Sequence, residues 1–194
     1  LQMGMTADWV SGFGESYRVA FYTADGTTVF QDDYVAENIQ FPAEGWKAGV
    51  YYFSVKPEYD TYPPKSTYTL TADFTPKSQW ATDSSYELEP NGNFNTANPI
   101  ALATPCKGVF SDSNDADCYT FSTEEAGKIS VTLENPDQST ANSTVILYNE
   151  AQEPVGKAIL RNSSTSVTIP EQGFNAGTFY VQVQTDNALT NSLK

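Results

Sequence analysis

The sequence has no histidine, only two cysteines and two methionines, and ten Lys and Arg against 24 Asp and Glu. Without an imidazole the chain lacks the commonest general base, so neither a Ser-His-Asp nor a Cys-His arrangement can be assembled within it. The formal charge of −14 repels nucleic acid and anionic membrane surfaces, which leaves cations and basic partners as the compatible ligands. No run approaches the ~18–20 apolar residues of a bilayer span, so no membrane insertion is expected, and no stretch of useful length carries a helical period. The first residues do not read as a basic stretch followed by an apolar one, so an export signal, if the protein has one, is expected outside this sequence.

Two catalytic look-alikes remain, and both fail on context. Gly12-Phe13-Gly14-Glu15-Ser16 has its serine in the wrong place for a nucleophile elbow and no strand-to-helix pattern after it. The carboxylate pairs Asp32-Asp33 and Glu87/Glu89 have the residue type used in glycoside hydrolysis, but paired charges are ordinary in the loops of an acidic protein. The chain therefore reads as non-catalytic.

Cys106 and Cys118 flank a polar loop rich in Asp, Ser and Asn, with neither a histidine nor a third cysteine to build a thiolate metal site. A disulfide closing that loop is expected; the alternative is a pair of reduced strand cysteines, since bridging depends on the Cα atoms lying within about 7 Å. Asn142-Ser143-Thr144 and Asn162-Ser163-Ser164 fit the glycosylation sequon, which matters only in a eukaryotic source.

What the chain does have is aromatics at 13%, 12 Gly, 11 Pro and short alternating apolar runs, the pattern of many short strands joined by turns. It also repeats itself. Glu44-Gly45-Trp46-Lys47-Ala48-Gly49-Val50-Tyr51-Tyr52-Phe53-Ser54-Val55 recurs, 128 residues later, as Gln172-Gly173-Phe174-Asn175-Ala176-Gly177-Thr178-Phe179-Tyr180-Val181-Gln182-Val183. Upstream, Tyr17–Tyr22 matches Ser143–Tyr148 at an offset of 126. Val19/Phe21, Ile39/Phe41 and Tyr51/Phe53/Val55 alternate as half-buried strands do, and so do Val145/Leu147, Val167/Ile169 and Phe179/Val181/Val183. The Ala-Gly pair before the third strand suits a turn in which a Cβ would clash or φ is positive.

Extending the period aligns Met3–Ala7 with Ile129–Leu133. Copy one therefore starts at a mid-module strand and lacks its front half. Tyr68–Phe74 reads as its closing strand, whose equivalent in copy two falls beyond Lys194. Thr75 to Ser85 reads as a linker. The expected organisation is a back half-module over residues 1–80 and a nearly complete one over 81–194. Unpaired edges in the half-module invite self-association, or completion by strands from a longer chain or another molecule.

The front of copy two is acidic. Glu87, Glu89 and Asn91 occupy alternate positions and point the same way in an extended segment, and Asp115 and Asp117 repeat that spacing in the downstream loop, with Asp112 nearby. Hard cations such as Ca²⁺ take six to eight oxygens from such groups. If the segments meet, a calcium site results; otherwise they are a solvated acidic loop and a turn built on Pro90-Asn91-Gly92.

The order Glu-x-Glu-Pro-Asn, Thr-Ala-x-Pro-Ile, Gly-x-Phe, Asp-x-Asp-x-Tyr-x-Phe, Ala-Gly and Ala-Gly-x-Phe-Tyr-Val-x-Val over residues 86–194 resembles the bacterial pre-peptidase C-terminal domain family. Copy one resembles the back half of another member, and the collagen-binding domains of clostridial collagenases are distant relatives. The resemblance implies tandem jelly-roll-like antiparallel β-sandwiches, all-β, in a secreted or cell-surface bacterial protein. It implies calcium held by Glu87, Glu89, Asn91 and Asp115, with Asp112 and Asp117 as further candidates. Gly92 departs from the pattern, since relatives often carry Asp there.

The expected function is that of an accessory module binding an extracellular protein or polysaccharide. A spacer without a specific ligand, linking or processed from a catalytic domain, is the alternative; a subunit completing an active site elsewhere is a remote third. Among the aromatics of copy one, Tyr59 and Tyr62 in the Pro57–Pro64 loop, together with Trp46, are candidate partner contacts, because exposed rings suit peptide or sugar recognition.

Overall fold

The computed structural model describes residues 1–7, 16–26, 28–35, 37–40, 45–57, 67–77, 85–110, 115–135 and 142–185. The chain is all-β and divides into two compact units, Leu1–Thr82 and Asp83–Lys194. Among the described residues no helix is long and apolar enough to cross a membrane.

The first unit holds six strands: β1 (Gln2–Ala7), β2 (Tyr17–Thr23), β3 (Thr28–Val35), β4 (Ile39–Gln40), β5 (Tyr51–Pro57) and β6 (Tyr68–Asp73). They form two antiparallel three-stranded sheets, β4-β1-β6 and β3-β2-β5. Met5, Tyr17, Val19 and Val35 are the buried cluster between them, with Ile39, Phe53 and Val55 packed partly exposed against it.

In the second unit, β10 (Ala116–Thr123), β12 (Ser143–Tyr148), β13 (Pro154–Leu160) and β15 (Gly177–Thr185), with the short β8 (Asn98–Pro99), make a five-stranded sheet in the order β13-β12-β15-β10-β8. Across the core, β11 (Gly127–Glu134) pairs with β14 (Ser166–Phe174); a small parallel pair, β7 (Ser85–Tyr86) with β9 (Cys106–Lys107), lies at the front. Strand alternation sorts the residues by face: Phe179, Val181 and Val183 of β15 and Tyr119 and Phe121 of β10 enter one core with Ile129, Val145, Leu147 and Ile169. This is the antiparallel sandwich of the all-β reading.

The internal repeat is visible in the registers. Val19↔Val55 and Phe21↔Phe53 in β2–β5 correspond at their offsets to Val145↔Val183 and Leu147↔Val181 in β12–β15. The β1–β4 pair aligns Met5 with Ile39, whereas β11–β14 aligns Val131 with Ile169. That slip is two residues, which keeps the same side chains facing inward.

Two expectations are corrected. Gly49 and Gly177, of the Ala-Gly pairs, do not have positive φ, and a Cβ at either would meet only ordinary contacts, at 3.5 and 3.7 Å; Gly26, at φ +85°, is the left-handed glycine among the described residues. Cys106 and Cys118 do not form a disulfide. The reason is the pleat: Cys106 packs against the core cluster that contains Tyr119, while Cys118, next to Tyr119 in β10, faces the other side, where Gln182 Nε2 donates to its Sγ at 3.7 Å. A bridge would have to pass through the sheet.

Candidate metal centre

The acidic front of the second unit is an extended segment held at both ends. Ser85 and Tyr86 pair in parallel with Cys106 and Lys107, and the Glu87 amide continues the ladder by donating to Lys107 O at 2.9 Å. Four residues on, the amide of Cys118 donates to Asn91 O at 3.0 Å. Between these anchors Asn98 clasps the backbone of Leu88, accepting from its N–H through Oδ1 at 3.2 Å and donating to its carbonyl through Nδ2 at 3.1 Å. Asn98 is itself fixed in β8, which runs parallel to β10 with Asn98 opposite Tyr119.

Alternation then does what the spacing predicts. Glu87, Glu89 and Asn91 are 3%, 2% and 0% exposed, while Leu88 and Pro90 between them are half-buried. Asp117 turns to the same interior from β10 and is 3% exposed. Carboxylate oxygens of Glu87, Glu89 and Asp117 all lie within 4.8 Å of one another.

Glu87 organises the centre. Its Oε1 accepts from the Val109 amide; its Oε2 accepts from Tyr119 OH at 2.7 Å and from Asn91 Nδ2 at 3.1 Å. Glu89 Oε2 accepts from the Asn91 amide at 3.0 Å. Gly108 is required by this packing: a Cβ there would lie 2.5 Å from Tyr119 OH and 2.6 Å from Glu87 Oε2. Among the described residues, the buried Asn91 Oδ1 and Asp117 Oδ1 have no hydrogen-bond partner.

Three carboxylates this close cannot all be ionised without a counter-charge. At an effective dielectric of about 20, two unit charges separated by 4.8 Å repel by roughly 3 kcal/mol, and there are three such pairs. In the metal-free protein, protons relieve the strain. Burial, then the charges of Glu87, Asp115 and Glu89, push the Asp117 carboxyl up to about 10, and a hydrogen bond to Glu87 that its protonated form makes adds to this. Glu87 is also raised, by burial first, against the lowering effect of its three donors. Tyr119 is raised by burial first and then by Asp117 and Glu87, so its hydroxyl stays a donor to Glu87. A divalent cation in place of these protons would meet hard oxygen donors only, the set that suits Ca²⁺.

Of the sequence candidates, the structure brings together Glu87, Glu89, Asn91 and Asp117. Asp115 stands at the rim, half-buried, with its Oδ1 accepting from the Ala116 amide at 2.8 Å and its charge acting on both Glu87 and Asp117. Asp112, Tyr59 and Tyr62 lie outside the described residues. Trp46 belongs to an aromatic cluster of the first unit, 4.7 Å from Phe21 and 5.0 Å from Tyr51 between ring centroids. Sequence reasoning missed Asn98, Gly108 and Tyr119, although each lies in a quoted motif: Thr-Ala-x-Pro-Ile, Gly-x-Phe and Asp-x-Asp-x-Tyr. Compared with known protein families, the chain matches no family model.

Proposed function

We propose that the chain is a non-catalytic accessory part of a secreted or cell-surface bacterial protein, its second unit stabilised by calcium and its first unit contacting an extracellular protein or polysaccharide. The observation that carries the metal half is the convergence of the Glu87, Glu89 and Asp117 carboxylates, where Asn91 Oδ1 and Asp117 Oδ1 are buried with no hydrogen bond among the described residues. A buried acceptor without a donor costs on the order of 1–3 kcal/mol, and a cation removes that cost for both at once. The motif order shared with pre-peptidase C-terminal domains supports the same reading. Glu87, Glu89, Asn91 and Asp117 would hold the ion, Asp115 would add charge at the rim, and water would complete six to eight oxygens. The bound ion would supply charge neutralisation and a cross-link between the front segment and β10.

The partner half draws support from the first unit, where Val50, Tyr52, Leu70 and Phe74 are large apolar side chains at 60%, 58%, 41% and 74% exposure. Where such side chains form a contiguous apolar patch they mark a contact surface, and these four are the candidates for one.

Thermal melts in millimolar CaCl₂ and in chelator test the metal half. A ligand at 100 times its Kd stabilises the folded state by about 2.7 kcal/mol, so the melting temperature of the second unit rises by several degrees with Ca²⁺ and less with Mg²⁺. No shift removes the calcium reading. Retention on immobilised extracellular polymers, lost on replacing Tyr52 and Phe74 by Ser, tests the partner half separately.

A further inference from the structure

The segment that carries the candidate ligands continues beyond the metal centre. Asn91 turns its side chain into the centre, where Nδ2 donates to Glu87 Oε2 at 3.1 Å, and its carbonyl accepts from the Cys118 amide of β10 at 3.0 Å. By Phe94 the chain has reached the other side of the five-stranded sheet. The Phe94 ring meets Tyr148 edge-on at 4.9 Å and lies tilted against Tyr180 at 5.0 Å between centroids. Those tyrosines alternate with Leu147 and with Phe179 and Val181, whose side chains form the core, so the rings that hold Phe94 face outward. At Asn98 the chain is back at the sheet edge, in β8 beside β10. Residues 92–97 are therefore a strap that leaves the centre, grips the outer face and returns.

The strap is tied internally and at its root. Asn93 Oδ1 accepts from the amides of Asn95 and Thr96 at 3.0 and 3.2 Å, and Thr96 Oγ1 donates to Asn93 O at 3.1 Å. A Cβ added to Gly92 would lie 3.4 Å from Ala116 O, so the strap sets off against the first residue of β10. The outer face completes the connection: Tyr148 OH donates to Gln182 Oε1 at 3.2 Å, and Gln182 Nε2 donates to the sulfur of Cys118 at 3.7 Å, the residue whose amide holds Asn91. A turn fixed at this many points ties the position of Asn91 to that of the Phe94 ring.

We propose that Phe94 is a positioning residue for the metal centre. Its ring contacts on the outer face hold the strap down and keep Asn91 Oδ1 aimed among the carboxylates, and so set the affinity for Ca²⁺. The proposal rests on the calcium reading above and adds a second site that controls it. Coupling between two sites is reciprocal, so the bound ion also holds the strap against Tyr148 and Tyr180.

Titration calorimetry of the full chain with CaCl₂ reads one direction of the coupling, and amide hydrogen exchange of 92–98 in CaCl₂ and in chelator reads the other. Phe94→Ala is expected to raise Kd at least about fivefold, the lower end of ordinary site coupling, whereas Phe94→Tyr, which keeps the ring, stays within about twofold of wild type. Ca²⁺ is expected to slow exchange of 92–98 in the wild type by a factor similar to the one lost in Kd. Ile129→Val, a core change on the other face of the sheet from Phe94, is expected to leave Kd unchanged. An unchanged Kd in Phe94→Ala overturns the proposal and leaves the calcium reading standing. An equal rise in Ile129→Val makes the effect one of general stability and overturns it too, as does exchange in 92–98 that ignores Ca²⁺ while the ion binds. Absence of Ca²⁺ binding by the wild type removes the calcium reading, and the coupling with it. Should Phe94→Ala not fold, Phe94→Leu removes the ring while keeping an apolar side chain, and the same outcomes decide.

Discussion

Replacing Asp117 by Asn probes the electrostatics of the buried centre directly. Asp117 releases its proton near 3.8 when unperturbed, as in an unfolded chain, and at about 10 in the folded protein without metal. Between those values the folded chain holds a proton that the unfolded chain has given up, so rising pH favours unfolding throughout that window. The slope approaches 1.36 kcal/mol per pH unit, so from pH 5 to pH 7 the metal-free protein loses about 2–3 kcal/mol through this one group. For a domain of about 100 residues that is a fall of roughly 10 °C in melting temperature. Asn resembles the protonated acid in shape and in offering a donor to Glu87, but it does not titrate. In chelator, Asp117→Asn is therefore expected to match the wild type near pH 5 and to exceed it at pH 7, keeping only the smaller slope due to Glu87, which is raised in the same direction. In saturating Ca²⁺ the order inverts, since metal binding needs the carboxylates deprotonated and tightens as pH rises. Calorimetric melts of the second-unit transition at pH 5, 6, 7 and 8, with and without Ca²⁺, read all four cases. Parallel pH slopes for wild type and variant in chelator would refute the assignment of the buried proton to Asp117.

Three other outcomes follow from neighbouring geometry. Gly108→Ala drives a methyl into Tyr119 OH and Glu87 Oε2 and is expected to cost about 1–3 kcal/mol and to weaken Ca²⁺ binding, read by denaturant melts and calorimetric titration. Asn98→Ala leaves the amide and carbonyl of Leu88 without their clasp; about 1–3 kcal/mol is lost, and hydrogen exchange quickens in 87–91 before the rest of the sandwich opens. The Cys118 thiol, pushed up to about 11 chiefly by burial, stays unmodified by an aromatic disulfide reagent at pH 8 in the native protein and reacts on addition of denaturant, since the thiolate is the reactive form.

The strand content and the two-copy layout were legible because apolar alternation and an internal repeat both survive in the sequence: Val19/Phe21 and Val145/Leu147 announce the same strand twice. The convergence of Glu87, Glu89 and Asn91 was legible for a related reason, since a period of two fixes which side of an extended segment a residue faces. Asp117 was readable as a candidate, but its full burial depends on Tyr119 and Phe121 pulling β10 into the core, a long-range effect that local spacing does not contain. The clasp by Asn98 and the clearance at Gly108 depend on pairings between segments 10 and 21 residues apart, so the residue types alone carried no sign of them. The cysteines misled because a polar loop between two thiols says how far apart they are along the chain and nothing about which face of a sheet each occupies.

The placement of the two cysteines on opposite faces of a sheet also bears on where the module can work. A fold whose two thiols are separated by the thickness of a sheet gains nothing from an oxidising compartment and loses nothing in a reducing one. Its melting temperature is expected to be the same in dithiothreitol as in air-equilibrated buffer, and it should refold from denaturant without an isomerase or a redox couple. Redox potential is therefore not one of the variables that decide whether this sandwich is folded.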